Sequence, residues 1–460
     1  MEQSPEKILK KSFISQGSGI RSIDPTRVST DSREIKPGDL FVPIVGDKFD
    51  GHDFISNVIS KGASSFLSNH GCWKKLDKNI KKSGIEVTDT LLAYQEIAQY
   101  WRQRSRIKLA AITGSSGKTT VKELVSCILS ESGPYLATEG SFNNEIGVPK
   151  TLLKINHQHQ AGILEFGARH EKDIEFLVEL AQPNVCCILN IGNAHLGEFG
   201  SIEKLRKTKL EMINYADPEA TIVYLNDDPL ICEAARLIPN RAISFGTEND
   251  ANVKVTAKKQ TERGMDIDLS YQSDELTLSM STSHTSLPIN CAAAAAIALA
   301  LGIDPKFIKK GLEKFEPPEG RFSIHRFNTK MIVDDAYNAN PESMKSGMSS
   351  LHEHFPDAKK VLVLGDMLEL GETSKSEHEK IGKIALELNP LAIYTVGKES
   401  SWISNYARSN NKITVEHYSN CSSLLAEIDN ILASGDLFYV KGSNSIKLKD
   451  FVNKAVEKLK

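Results

Sequence analysis

Residues 112–124, "ITGSSGKTTVKEL", constrain this chain more than any other stretch. Upstream, "KLAAITG" (108–114) is a short apolar run that predicts a buried strand. Downstream, Val121, Leu124, Val125, Ile128 and Leu129 recur at helical spacing through "KTTVKELVSCILSE" (118–131). Between them lie Gly114, Ser115, Ser116, Gly117 and Lys118. A glycine-rich turn feeding a helix start aims backbone N–H groups and the positive end of the helix dipole at one point, which suits an anion. Lys118 adds a full positive charge, and Thr119 or Thr120 offers a hydroxyl to Mg²⁺. The common phosphate-loop pattern is G-x-x-x-x-G-K-[ST]. Here Ile112 stands at its first glycine, which leaves the shorter G-x-x-G-K-T-T. A plain Gly/Ser turn before an ordinary helix is the alternative. Strand, turn, Lys-Thr and helix together favour ATP or GTP, without naming a reaction.

Around this loop the chain reads as three regions. The first, to about residue 85, holds "VSTDSREIKPGDLFVPIVGDKFDGHDFI" (28–55), short apolar pieces punctuated by Pro37-Gly38, Gly46 and Gly51, and predicts a small α/β unit. "GIEVTDTLLAYQEIAQYWRQR" (84–104) predicts a strand end, then an amphipathic helix capped near Thr88 or Asp89. The second region, about 105 to 317, alternates strands such as "AGILEFG" (161–167), "VCCILNIG" (185–192) and "ATIVYLN" (220–226) with helical segments, which predicts a mostly parallel, doubly wound sheet. From about 252 to 285 polar and apolar residues alternate, as in antiparallel strands beside that sheet. The third region opens near "PPEGRF" (317–322). It contains "KMIVDDAYN", "KKVLVLGDM", "LAIYTVG" and "DLFYVKGS", all but the last followed by helical sequence, and predicts a Rossmann-like α/β unit. The expected bounds are 1–87, 88–317 and 318–460. There is no internal repeat and no low-complexity tract.

Bulk composition narrows the function classes. Hydrophobic residues are 40% and charged residues 25% of the 460, ordinary for a soluble globular chain. A net charge of −3 makes no electrostatic case for nucleic acid or an anionic membrane as main partner. Seven scattered cysteines with no C-x-x-C pair favour reduced thiols and a cytoplasmic location. "MEQSPEKILKK" lacks the apolar core of a secretion signal, so no leader is expected. No stretch approaches the roughly 18 apolar residues of a membrane span. "CAAAAAIALALGI" (291–303) instead predicts a buried helix ended by Gly302.

Several residues have the character of a metal–nucleotide site. Glu165 ends a strand in "ILEFGA", where a carboxylate near a phosphate loop can hold Mg²⁺ or simply be a solvated loop glutamate. His195, in "NIGNAHLGEFGS", also follows a strand, and is either a ligand or a structural hydrogen-bonder. "SIEKLRKTKLEMI" (201–213) is basic and helical. Lys204, Arg206 and Lys207 read as a solvated face, and Lys209 is set apart from them. In "SFNNEIGVPKTLL" (141–153) the Asn143-Asn144 pair is a turn signal before a helix start, and its amides also suit phosphate and metal-bound water. In "DDAYNANPESM" (334–344), Asn340 and Pro341 fit a helix cap and first turn, which leaves Asp334, Asp335, Tyr337 and Asn338 unexplained by capping.

Taken in order, "TDSREIKPGDLFVPIVGDKFDGHDF", "ITGSSGKTTVKEL", "NNEIGVPKTLL", "EFGA", "AHLGEFGS", "TKLEM", "EGRF", "DDAYNANPESM", "VLGDMLELGETSKSEHEKIG" and "VKGS" carry a likeness that runs nearly end to end. The chain resembles the Mur ligases, the ATP-dependent amide-forming enzymes of peptidoglycan precursor synthesis. "DDAYNANP" and "GDMLELG" point, within that family, to the step that joins D-alanyl-D-alanine to UDP-N-acetylmuramoyl-tripeptide. The resemblance implies three domains, binding the UDP-substrate, binding ATP, and C-terminal. It also implies transfer of the γ-phosphate to the substrate carboxylate and attack of the amine on the acyl phosphate. By the same likeness Gly114 to Thr120 (Gly114, Ser115, Ser116, Gly117, Lys118, Thr119, Thr120) cradle the ATP phosphates. Thr119, Glu165 and His195 hold Mg²⁺. Lys209 matches a lysine that is carbamylated in related ligases, turning an ammonium that repels Mg²⁺ into a carboxylate that holds it. Asn144 lies by the γ-phosphate, Arg321 reaches the phosphates from the third domain, and Asp335 and Asn340 meet the nucleotide. Ser32, Arg33, Gly46, Asp50, Gly51 and His52 match the UDP-substrate domain. Catalysis is thus expected of Lys118, Lys209, Glu165, His195 and Arg321. A monomer is expected, with small-molecule substrates, no nucleic acid and no membrane insertion. Two departures stand out. The family's H-N-x-x-N stretch is "SLPIN" (286–290) here, keeping only Asn290 for adenine, and its "KGSR" is "KGSN", with Asn444 in place of the arginine. The amino-acid ligase of the preceding step, a folylpolyglutamate-type ligase and a nucleotide-binding partner protein without ligase activity are the rival functions.

Overall fold

Strand Lys108–Thr113 is buried from Leu109 onward, as its unbroken apolar run requires of a central parallel strand. Helix Lys118–Ser132 follows, and Val121, Leu124, Val125, Ile128 and Leu129 are all fully buried along one face. This pair belongs to a computed structural model that describes residues 3–46, 48–192, 199–261, 264–272, 274–409 and 413–460.

Three sheets organise the chain. The first has five strands in the order Phe13–Gln16, Gly84–Val87, Ser65–Asn69, Leu40–Phe41 and Val28–Ser29. All its pairs are parallel except the first. The second has nine, in the order Asp274–Met280, Met265–Tyr271, Val253–Gln260, Ala242–Gly246, Thr221–Leu225, Val185–Ile188, Lys108–Thr113, Ala161–Glu165 and Tyr135–Ala137. Tyr135–Ala137 is parallel to Ala161–Glu165, Thr221–Leu225 is parallel to both Val185–Ile188 and Ala242–Gly246, and the alternating segment of 252–285 continues the same sheet as three strands, the first parallel to Ala242–Gly246 and the next two antiparallel. The third has six: Ser323–Arg326, Met331–Asp334, Leu437–Lys441, Lys360–Gly365, Ala392–Val396 and Thr414–Tyr418. It is parallel but for its first strand.

The chain also divides into two compact units. One comprises Met1–Ala111, Gly133–Phe166 and Glu175–Asn184, and the other Ile112–Ser132, Gly167–Ile174 and Val185–Lys460. In the first, helix Thr90–Arg104 starts at Asp89, whose carboxylate caps it through Leu92 N–H. In the second, the Ala-rich helix Leu287–Leu301 is almost wholly buried, and Gly302 ends it in the left-handed conformation at φ 78°. The last strand of the third sheet is followed by a helix after all, Leu448–Leu459. It begins at Lys447, which takes φ 62° without being glycine, so the sequence carries no start signal. Among the described residues no helix is long and apolar enough to cross a membrane.

Candidate active site

The phosphate loop is tied to the segment that leaves strand Val185–Ile188. Asn190 Oδ1 accepts the backbone N–H groups of Ser115 and Ser116, each at 3.0 Å, and its amide donates to Ser116 O at 3.0 Å. Ser115 Oγ accepts Gly192 N–H at 2.9 Å. Lys118 lies back across the loop with Nζ 2.7 Å from Gly114 O. Gly117 sits at φ +82°, and a Cβ there would lie 3.0 Å from Asn290 Oδ1, so the loop turns tightly against the start of the Ala-rich helix. Asn290 is buried and donates to Ser286 Oγ at 3.3 Å.

Arg321, just before the first strand of the third sheet, reaches the same loop. Its Nη2 donates to Thr119 Oγ1 at 3.2 Å, and its guanidinium lies 4.1 Å over the ring of Tyr337. Among the described residues its buried Nε has no hydrogen-bond partner. A buried orphan donor is costly, and an anionic oxygen is what such a fork satisfies best.

Behind Arg321 is a buried polar cluster. Asp334 Oδ2 accepts Gly320 N–H and Oδ1 accepts Ala336 N–H. Burial nevertheless pushes the Asp334 carboxyl above its usual range. Lys441 Nζ is 2.7 Å from Asp335 Oδ2 and 3.1 Å from Asn338 O. Tyr439 donates to the same Asp335 oxygen at 3.0 Å. Burial holds the Lys441 ammonium below its ordinary value, against the pull of Asp335. Asn340 caps helix Pro341–His354 in a reciprocal capping box with Ser343, and Asn444 Nδ2 donates to Tyr337 O at 3.2 Å.

Lys209 is 1% exposed on helix Ile202–Asn214, while Lys204, Arg206 and Lys207 on that helix face solvent. His195 lies outside the described residues. In the other unit Glu165 ends strand Ala161–Glu165 and is 3% exposed, and Asn143 donates to its Oε1 at 2.9 Å. Asn144 Oδ1 accepts Gly147 N–H at 3.0 Å, in the turn that leads into helix Gly147–Leu152.

The UDP-type residues form local structure. Asp50 Oδ1 accepts His52 N–H at 2.9 Å and meets His52 Nδ1 at 2.6 Å, while His52 Nε2 accepts Asn69 N–H at 3.2 Å. The bonds from His52 overcome burial and hold the Asp50 carboxyl below its usual range. Gly51 passes so close to Pro43 and Ile44 that a Cβ would fall within 3 Å of their backbone. Arg33 pairs with Asp31 at 2.6 Å, which lowers that carboxyl to about 2. Ser32 O accepts Lys61 Nζ, and Gly46 N–H donates to Phe49 O.

Residues 25–102 match the model of the Mur ligase family, catalytic domain, 112–298 that of the Mur ligase middle domain, and 320–444 that of the Mur ligase, glutamate ligase domain. Over 434 residues the chain is 31% identical to UDP-N-acetylmuramoyl-tripeptide–D-alanyl-D-alanine ligase of Bacillus subtilis (strain 168), covering 94% of this chain and 93% of that one. This chain belongs to the Mur ligase family. The fold of this Mur ligase is also that of MurF from Acinetobacter baumannii, at TM-score 0.87 and 29% identity over 99% of both chains. MurF ligase from Thermotoga maritima in complex with ADP matches at TM-score 0.83 and 28% identity, over 95% of this chain and 99% of that one.

Two residues that tie the site together, Asn190 and Lys441, were not singled out from sequence, and Tyr337 was singled out without its role as the platform of Arg321. Lys441 had a visible signal, a lysine ending the apolar run "DLFYVKGS". Asn190 had none beyond its place just after a strand.

Proposed function

We propose that this Mur ligase joins D-alanyl-D-alanine to UDP-N-acetylmuramoyl-tripeptide, consuming ATP and giving the pentapeptide precursor of peptidoglycan, ADP and phosphate. The observation that carries the nucleotide half is Arg321 on Thr119, a guanidinium with a buried unsatisfied N–H set beside a phosphate loop. The acceptor and donor follow the names of relatives alike over nearly the whole chain.

Each part of the chemistry then has a residue. The N–H groups and dipole of the loop helix, with Lys118, bind the phosphates from Gly114 to Thr120 and offset charge as the γ-phosphoryl moves to the substrate carboxylate. Arg321 binds the same phosphates, with Asn290, Asp335 and Asn340 beside the nucleotide, and the family likeness alone assigns Asn144 to the γ-phosphate. The amine of the dipeptide attacks the acyl phosphate, forming the amide and expelling phosphate. By the family likeness Thr119, Glu165, His195 and a carbamylated Lys209 are the residues that would hold Mg²⁺, which prefers oxygen donors. When bound, it neutralises phosphate charge. Lys209 is buried, and converting its ammonium to a carbamate would remove the repulsion between that ammonium and a bound cation.

Ser32, Arg33, Gly46, Asp50, Gly51 and His52 are assigned to the UDP-substrate. His52 and Gly51 shape that wall, because the ring nitrogens of His52 are engaged within the fold. We assign 1–87 to UDP-substrate binding, 88–317 to ATP binding and 318–460 to the C-terminal domain. The strands of each sheet fall inside one of these spans, which supports the division. The enzyme is assigned to the cytoplasm as a monomer acting on small molecules.

A panel of UDP-muramoyl peptides, each offered with D-alanyl-D-alanine, single amino acids or glutamate, tests the assignment by product mass. Only the tripeptide with the dipeptide should yield product. Product from a single amino acid on a shorter peptide would move the enzyme to another step of the family.

A further inference from the structure

We propose that Lys441 is a positioning residue for the ATP phosphates, acting through Arg321. This rests on the ligase reading above and extends it to a residue that contacts no nucleotide itself.

Strands Met331–Asp334 and Leu437–Lys441 run parallel with Asp334 opposite Val440, so the register brings Asp335 beside Lys441. The lysine is 3% exposed. Its Nζ reaches three acceptors, Asp335 Oδ2 at 2.7 Å, Asn338 O at 3.1 Å and Asp335 O at 3.5 Å. Two of the three are main-chain oxygens at either end of the 335–338 turn. One ammonium therefore fixes the shape of that turn, as a buried charge does when each of its protons has a partner.

The turn carries Tyr337. Its N–H donates to Gly320 O at 3.1 Å, its carbonyl accepts Asn444 Nδ2 at 3.2 Å, and its ring supports the guanidinium of Arg321 at 4.1 Å. Arg321 in turn donates to Thr119 of the phosphate loop. A continuous path of hydrogen bonds and one stacked pair thus runs from Lys441 to the loop. An arginine has many rotamers, and a guanidinium that is already aimed binds phosphate with less ordering cost. Holding Tyr337 still is what keeps Arg321 aimed. Asn444 contributes to the same turn from its exposed side, where the family's arginine is replaced.

The test is a double-mutant cycle on ATP. Lys441→Met should raise the KM for ATP about ten- to hundredfold, the range expected from losing one charged hydrogen-bonding group, and leave the KM for the UDP-substrate within about twofold. In an Arg321→Ala background the same change should add less than about twofold, because the two residues act as one. A merely structural role would lower thermal stability and both KM values' quality alike, with additive losses in the cycle, and would overturn the proposal. Asn444→Ala, at an exposed position, supplies a second variant should Lys441→Met not fold. It should raise the KM for ATP about three- to fivefold, an effect absent without Arg321. No rise from either variant refutes the proposal. The cycle is repeated on ATP affinity by calorimetry without the UDP-substrate. A wild-type chain that binds ATP but forms no amide would refute the ligase reading alone, and the calorimetric cycle would still decide the role of Lys441.

Discussion

Replacing Gly117 with alanine probes the phosphate loop where its geometry is tightest. At φ +82° an L-residue pays about 1–2 kcal/mol over glycine. The new Cβ would lie 3.0 Å from Asn290 Oδ1. Asn290 is buried and bonded to Ser286, so it yields only by weakening that bond, for roughly another 0.5–1 kcal/mol. Together the change should cost about 1.5–3 kcal/mol, a fall in Tm of roughly 3–12 °C. Because the strain sits where the loop meets the helix start, ATP affinity should also fall at least about tenfold. Gly140→Ala is the comparison. It has φ +51° and nothing within 4 Å of its Cβ, so it carries the backbone penalty alone and should leave ATP affinity within about twofold. Thermal unfolding and calorimetric ATP titration of both variants read the two terms. If Gly117→Ala matches Gly140→Ala in both assays, the contact with Asn290 does not shape the loop and the reasoning fails.

Other perturbations follow from the same contacts. Lys118→Ala removes the loop's fixed charge and should abolish phosphate release in a steady-state assay; retained turnover would contradict the phosphate role. Asn190→Ala strips the acceptor of two loop N–H groups and should cost about 1–3 kcal/mol of stability in urea unfolding, with weaker ATP binding. His284 is pulled down to about 4 by burial, and by Lys441 and His354 against Asp335, while its Nδ1 accepts Ser286 N–H. The folded state holds it neutral whereas the unfolded chain takes a proton near 6.5. Its contribution is therefore intact above about pH 6.5 and lost as pH falls toward 4, by roughly 3 kcal/mol at most. Unfolding of His284→Gln beside wild type at pH 7.5 and 4.5 should show a smaller acid loss in the variant; equal losses would refute the assignment.

Much of this site is local in sequence, and that part was legible. The strand, turn and helix of 108–131 are contiguous, as are the Asp89 cap, the Gly302 stop and the Asn340 capping box. What escaped depends on distance along the chain. Asn190 holds Ser115 and Ser116 from 75 and 74 residues away, and Lys441 meets Asn338 from 103. Only sheet register brings such pairs together, and a single sequence does not display register. Helix Leu448–Leu459 was missed because Lys447 does the work of a glycine at φ 62°. Strand Thr414–Tyr418 was missed because, at the edge of its sheet, it is half exposed and lacks the apolar run of its neighbours. The Asp50–His52 pair shows the reverse limit. The likeness marked both for substrate, while the structure gives them a local bonding role that sequence alone does not reveal.

The central claim is that phosphate transfer here serves amide formation with a dipeptide. Its most direct test is phosphate release with ATP, Mg²⁺ and UDP-N-acetylmuramoyl-tripeptide, with and without D-alanyl-D-alanine, followed by product mass. Release that requires the dipeptide and yields the pentapeptide mass is the predicted result. No release with the dipeptide, but release with a single amino acid and a shorter UDP-peptide, would contradict it.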